Sequence, residues 1–144
     1  MVGIVITGHG HFPSGILSAV ELVAGKPEQV VCVDFEAGQS SADLKEAMTA
    51  AVESLEGNEI LILADLVGGT PFNTAAALKQ EMSGKHIRLI AGTNMPVVVE
   101  AVFSRMAAGL DDLGSMAAAA GANGVVDFDQ LGNDEEEPQF EGGL

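Results

Sequence analysis

Residues 2–15, VGIVITGHGHFPSG, set a run of apolar, largely β-branched residues directly against a loop carrying two histidines among three glycines. A short, continuous apolar run such as Val2–Thr7 reads as a strand buried on both faces. The residues after the loop decide the fold. Ile16, Ala19/Val20 and Val23 recur at helical spacing and stop at Gly25, so the segment is strand, glycine-rich turn and helix. The unit then repeats. Val30–Phe35, Ile60–Ala64 and Ile87–Ala91 read as three further buried strands, each leading into a glycine-containing loop. Leu44, Ala47/Met48, Ala51 and Leu55 mark a second helix, with Ser40 and Asp43 spaced as a capping box. A third helix is expected from Thr70, as N-cap, with Pro71 at its first position.

Alternating strands and helices imply an α/β, doubly wound fold: parallel strands joined by right-handed crossovers, with helices on both faces. The order 2-1-3-4 puts the switch point between strands one and three, and function gathers outside the carboxyl ends of such strands. The loops delivered there are GHGHFPSG, DFEAGQSS, DLVGGTPFN and AGTNMP. Two more helical stretches, about Pro96–Ala108 and Leu110–Ala120, precede Gly124–Phe128, which reads as a short fifth strand with no evident partner.

At 144 residues and 47% hydrophobic, the chain suits one domain with a core of its own. That domain is expected over residues 1–131. Residues 132–144 read as an acidic, disordered tail, because seven of the 21 acids and none of the six Lys and Arg fall within 127–144. A formal charge of −15 argues against nucleic acid and anionic membranes, both of which call for a basic footprint. Every long apolar stretch is broken well before the ~18 residues of a membrane span, and no secretory leader is evident. Cys32, the lone cysteine, lies in an apolar run and reads as core in a reducing, cytoplasmic setting.

His9 stands at the carboxyl end of the first strand between glycines that let another molecule come close. An imidazole there suits nucleophilic or acid–base work; the alternative is a loop histidine capping a helix. His11 reads first as a rim residue, and His86 belongs to the opposite end of the sheet. Asp65 and Asp34 end or nearly end their strands, and a carboxylate on Nδ1 would fix the tautomer of His9 and free Nε2. Asp65 is the better placed if strands one and three are neighbours. Gly68-Gly69-Thr70-Pro71 offers backbone N–H groups, a hydroxyl and a helix amino terminus, an arrangement that attracts anions, and Pro13-Ser14-Gly15 offers a second.

Nucleotide signatures fail. Pro13 stands where G-x-G-x-x-G needs glycine, Gly25-Lys26 and Gly84-Lys85 are not followed by Ser or Thr, and none of the four loops carries Lys or Arg. His9, His11 and Asp65 are a weak zinc pattern, so neither metal nor cofactor is assigned.

These residues resemble the mannose-type (mannose, fructose, sorbose, N-acetylgalactosamine and gluconate) IIA domains of the bacterial phosphoenolpyruvate-dependent sugar phosphotransferase system, over about residues 1–128. The likeness rests on the opening strand with G-H-G, on DLVGGTPFN and on AGTNMP, three motifs in register. The resemblance implies that His9 takes a phosphoryl group on Nε2 from the phosphocarrier HPr and passes it to a IIB domain. It implies that Asp65 orients the imidazole and that Thr70 lies at the phosphate site, with the N–H groups of Gly10 and Gly69 expected to hold phosphoryl oxygens. A homodimer is implied too, the carboxy-terminal strand crossing to the partner's sheet, with membrane IIC and IID components engaged only indirectly. His11 stands where relatives often differ, and Val67 where many carry tryptophan; both, with Phe12, are candidate docking residues. The IIB partner is expected to be a separate protein. A phosphorylation-sensing binding module is the alternative reading.

Overall fold

The computed structural model of the chain describes residues 1–133. The four apolar runs become β1 (Gly3–His9), β2 (Val30–Phe35), β3 (Glu59–Ala64) and β4 (His86–Ile90), all parallel in one sheet ordered β2-β1-β3-β4. The doubly wound expectation and its 2-1-3-4 order therefore hold.

Between and after the strands lie α1 (Phe12–Ala24), α2 (Ser41–Ser54), α3 (Thr70–Glu81), α4 (Met95–Ser104) and α5 (Leu110–Asn123). Neighbouring residues of β1 point to opposite faces, which is why the run has to be apolar throughout. Ile4 and Ile6, with Leu61 and Leu63, pack against Val20, Val98, Ala101 and Leu113 from α1, α4 and α5. Val5, with Ile60 and Ile62, packs against Leu44, Met48, Ala75 and Leu78 from α2 and α3. The Ser40–Asp43 capping box forms as expected, each side chain accepting the other residue's N–H, at 3.1 and 3.0 Å.

Register places the site. Across β1 and β2, Gly8 lies level with Asp34 and His9 with Phe35, while Thr7 lies level with Ala64 of β3. Asp65, one residue past Ala64, is thereby delivered beside the end of β1.

Three expectations need correction. Gly69, not Thr70, is the N-cap of α3; Thr70 is its first residue and Pro71 its second. Within the single chain Gly124–Phe128 forms no strand: Gly124 caps α5, Val125 and Phe128 are 79% and 82% exposed, and Phe128 opens a 3-10 helix over Phe128–Asn133. Among the described residues no strand lies beside that segment, so there is no ladder for it to join. Cys32 is half-buried rather than core; its thiol donates to the Pro13 carbonyl at 3.3 Å. Burial first, then the nearby Asp34 and Glu21 charges, push its pKa up to about 11, so it is an inert thiol.

The proposed domain boundary at residue 131 falls inside the 3-10 helix, and most of the acidic tail, residues 134–144, lies outside the described residues. Among the described residues no helix is long and apolar enough to cross a membrane.

Candidate active site at the carboxyl end of the sheet

His9 is the last residue of β1, and its backbone N–H donates to Asp65 Oδ2 at 2.9 Å. The same carboxylate oxygen lies 2.8 Å from His9 Nδ1. The other oxygen accepts the Leu66 N–H at 2.8 Å, so Asp65 is fixed at both ends. Burial disfavours its charged form, but the N–H and imidazole of His9 and the N–H of Leu66 outweigh that and hold its pKa below the ordinary carboxylate range. A carboxylate that stays ionised on Nδ1 keeps the proton there and leaves a lone pair on Nε2. The His9 side chain is 47% exposed, against 11% for Asp65, so the imidazole is half-open to solvent while its partner carboxylate stays inside.

On its other side the imidazole lies over Gly69. A Cβ at position 69 would stand 2.8 Å from His9 Cε1 and 3.4 Å from Nε2, a space only glycine leaves open. Gly69 and Thr70 open α3, whose first-turn N–H groups have no partner inside the helix. Asn73 braces the turn, donating from Nδ2 to the Gly68 carbonyl at 3.1 Å. His9, Asp65 and Gly69, singled out from sequence, thus come together at one point, with Thr70 the next residue along at the start of α3.

Gly10 does not bring its donor there. Its φ of +57° suits glycine, and its N–H donates to the Phe35 carbonyl at 2.8 Å, an intramolecular bond that a phosphoryl oxygen would have to displace. Pro13-Ser14-Gly15 is likewise taken up internally, because the N–H and hydroxyl of Ser14 both donate to Asp34, at 3.0 and 2.7 Å. Asp34 therefore serves α1 and His11 rather than His9; His11 Nδ1 lies 3.2 Å from Asp34 Oδ2 and Nε2 3.3 Å from Glu36 Oε1. Burial works against the Asp34 charge, yet the two Ser14 bonds and His11 lower its pKa. The two histidines have separate carboxylates, so the His9, His11 and Asp65 zinc pattern is not assembled. His86 stands at the amino end of β4, far from this chemistry.

Val67 and Leu66 are 76% and 59% exposed on the loop beside His9. Phe12 is half-buried against Gly8, where a Cβ would stand 2.9 Å from both Phe12 Cδ1 and Asp65 Cγ. Sequence reasoning missed Gly8 as a site residue, as it missed Phe35, whose ring meets the His9 ring edge-on with centroids 6.2 Å apart. It also missed the purpose of AGTNMP. Gly92 N–H donates to the Asp65 carbonyl at 3.1 Å, Thr93 donates from N and Oγ1 to the Ala64 carbonyl at 3.2 and 2.7 Å, and Asn94 caps α4. This loop sews the end of β3 in place beneath Asp65.

Comparison with known proteins identifies the lineage. Residues 3–118 match the family described as PTS system fructose IIA component. The fructose-specific EIIA component of Bacillus subtilis (strain 168) is 32% identical over 114 residues, which cover 78% of this chain and 77% of that one. The mannose-specific EIIAB component of Escherichia coli (strain K12) is 32% identical over 126 residues, 86% of this chain but 38% of that longer protein. Among solved structures, the phosphotransferase system component EIIA from Streptococcus agalactiae superposes with a TM-score of 0.86 and 44% sequence identity, covering 90% of this chain and 99% of that one. A family match running from residue 3 to residue 118, with a solved relative sharing both fold and sequence, establishes that this chain belongs to the mannose-type IIA components of the sugar phosphotransferase system.

Proposed function

We propose that the chain is a phosphohistidine relay that accepts a phosphoryl group from phospho-HPr on His9 Nε2 and passes it to a separate IIB protein during sugar uptake. The observation that carries this reading is the division of labour on one imidazole: Nδ1 is bound by Asp65 at 2.8 Å, and the half-exposed ring lies against Gly69. The Nε2 lone pair attacks phosphorus as the P–N bond of the donor's phosphohistidine breaks, and the electron pair of that bond returns to the donor imidazole. His9 keeps its Nδ1 proton throughout, and Asp65 stabilises the positive charge that develops on the ring. The N–H groups of Gly69 and Thr70 and the Thr70 hydroxyl receive the phosphoryl oxygens at the positive end of α3. Transfer to IIB repeats the step with His9 as leaving group. None of the four loops carries Lys or Arg, which suits a carrier: a clamp of strong charged donors would hold the phosphate too tightly to release it.

The exposed Val67 and Leu66, with His11, lie where the docking partners approach. The uncovered Val125, Val126 and Phe128 fit the second part of this reading, a homodimer in which Gly124–Phe128 pairs with the partner's sheet. Transfer takes place in the cytoplasm, beside the membrane components of the permease.

Intact-mass spectrometry after incubation with phosphoenolpyruvate, enzyme I and HPr tests the relay. One acid-labile phosphoryl group that requires HPr and is absent from folded His9→Ala is the expected result. Full labelling of His9→Ala, or no adduct with active HPr, refutes it; the second outcome favours a module that senses its partners' phosphorylation. Light scattering of the intact chain and of a chain ending before Gly124 tests the dimer.

A further inference from the structure

Two carboxylates converge on one exposed imidazole beside the His9 loop, from separate parts of the chain. His11 ends the turn after β1, Asp34 lies at the end of β2, and Glu36 comes just after that strand. Nδ1 of His11 faces Asp34 Oδ2 at 3.2 Å and Nε2 faces Glu36 Oε1 at 3.3 Å. A neutral imidazole carries one N–H, so it can donate to only one of these oxygens. The other ring nitrogen then turns its lone pair toward the lone pairs of a carboxylate, an arrangement relieved by a second proton or by a metal cation between them. Among the described residues no Lys or Arg pairs with Asp34 or Glu36.

We propose that His11, Asp34 and Glu36 form a divalent-cation site, with zinc as the ion its donors suit. One nitrogen or oxygen from each of the three residues lies within 4.8 Å of the other two. Ligand atoms about 2.1 Å from a tetrahedral zinc stand roughly 3.4 Å apart, so closing the site requires movement on the order of 1 Å. Side chains 74% exposed at His11 and 53% exposed at Glu36 are free to make it. Asp34 needs no adjustment, because the Ser14 hydroxyl and N–H already hold its two oxygens in place, the role outer partners play around bound metals. An imidazole among the donors disfavours magnesium and calcium, which prefer oxygen alone, and suits zinc, with water completing the shell. The bound ion would tie the turn after β1 to the end of β2 on either side of Phe35, the residue whose ring meets His9 and whose carbonyl holds Gly10.

The test is titration of the untagged full chain with zinc chloride against a chromophoric zinc indicator. One zinc per chain is expected, weakened at least about 10-fold in both His11→Ala and Glu36→Gln and unchanged in His9→Ala. Glu36→Gln alters an exposed side chain and keeps the experiment decisive if His11→Ala folds poorly. The proposal fails if no saturable binding occurs below about 1 mM zinc, if both variants bind like the parent, or if His9→Ala is the one that loses the ion. A proton alone bridging the cluster would give the first of these results.

Discussion

Gly69→Ala separates the chemistry from the fold. At φ −75° and ψ 168° position 69 is open to any residue, so the backbone accepts alanine without strain. Alanine is a poorer N-cap than glycine, by something under about 1 kcal/mol, and a stiffer unfolded chain returns a similar amount. Net stability should move by less than about 1 kcal/mol. The new methyl, however, would stand 2.8 Å from His9 Cε1, whereas ordinary contact begins near 3.4 Å, so the imidazole has to retreat by about 0.6 Å. The ring cannot do so while keeping its 2.8 Å contact with Asp65 at hydrogen-bonding length, since that contact would stretch or bend. Since a misplacement of about 1 Å can cost about 100-fold, one of about 0.6 Å should cost on the order of 10-fold in transfer rate, or about 1.4 kcal/mol of barrier. Gly68→Ala is the counterpart. It adds a methyl into open space at φ +80°, so it should cost about 1–2 kcal/mol in stability and leave transfer within a few-fold of the parent. Quenched-flow phosphorylation by phospho-HPr and urea unfolding of both variants provide the assay. A folded Gly69→Ala protein transferring within threefold of the parent would refute the steric reasoning.

Asp65→Asn should fold yet transfer about 10- to 100-fold more slowly, measured in the same assay, because an amide no longer stabilises the charge on the ring. Asp65 also sets a pH signature. Its folded pKa lies below the unfolded value of about 3.9, so its contribution to stability is present above that pH and is lost as pH falls through the folded pKa. The stability gap between parent and Asp65→Asn, followed by urea unfolding, should therefore shrink on acidification below about pH 4 and stay flat above about pH 5. Leu63→Ala, at a position wholly buried between β3 and the helices, should cost about 2–5 kcal/mol by urea unfolding. Thr93→Val removes a buried hydroxyl bond to the Ala64 carbonyl, but the Thr93 N–H still reaches that oxygen, so the loss should be near 1 kcal/mol in thermal unfolding.

The fold was legible because strands leave a plain mark: the central runs are buried on both faces, the edge runs Val30–Phe35 and Ile87–Ala91 stay mostly apolar though only half-buried, and Ser40 with Asp43 announces a helix without help from the rest of the chain. His9, Asp65 and Gly69 were legible for a related reason, as each sits where a strand ends or a helix begins. What stayed hidden depends on register between distant segments. Nothing local to Phe35 says that it lies level with His9, nor that its carbonyl takes the Gly10 N–H; both depend on β1 pairing with β2 residue by residue. Asp34 looked like a second partner for His9, and the geometry gave it to Ser14 and His11 instead. Gly124–Phe128 has the composition of a strand, but pairing needs a neighbour, and composition cannot supply one.

On the reading proposed above, the position of His9 meets the demands of a protein-to-protein exchange. A nucleophile on a mobile loop would lose its orientation between encounters; one within the sheet would be out of reach. The last residue of a central strand meets both demands, because β1 is held by β2 and β3 as far as His9 and Thr7, respectively, while the His9 ring projects beyond the sheet. Glycine at 8 lets Asp65 and Phe12 close in beneath the ring, and glycine at 69 lets the ring lie against the start of α3. Neither glycine is there for flexibility. At position 8 a Cβ would displace Asp65 and Phe12, and at position 69 it would displace the imidazole itself, so the two missing side chains are what let the carboxylate, the ring and the helix end meet.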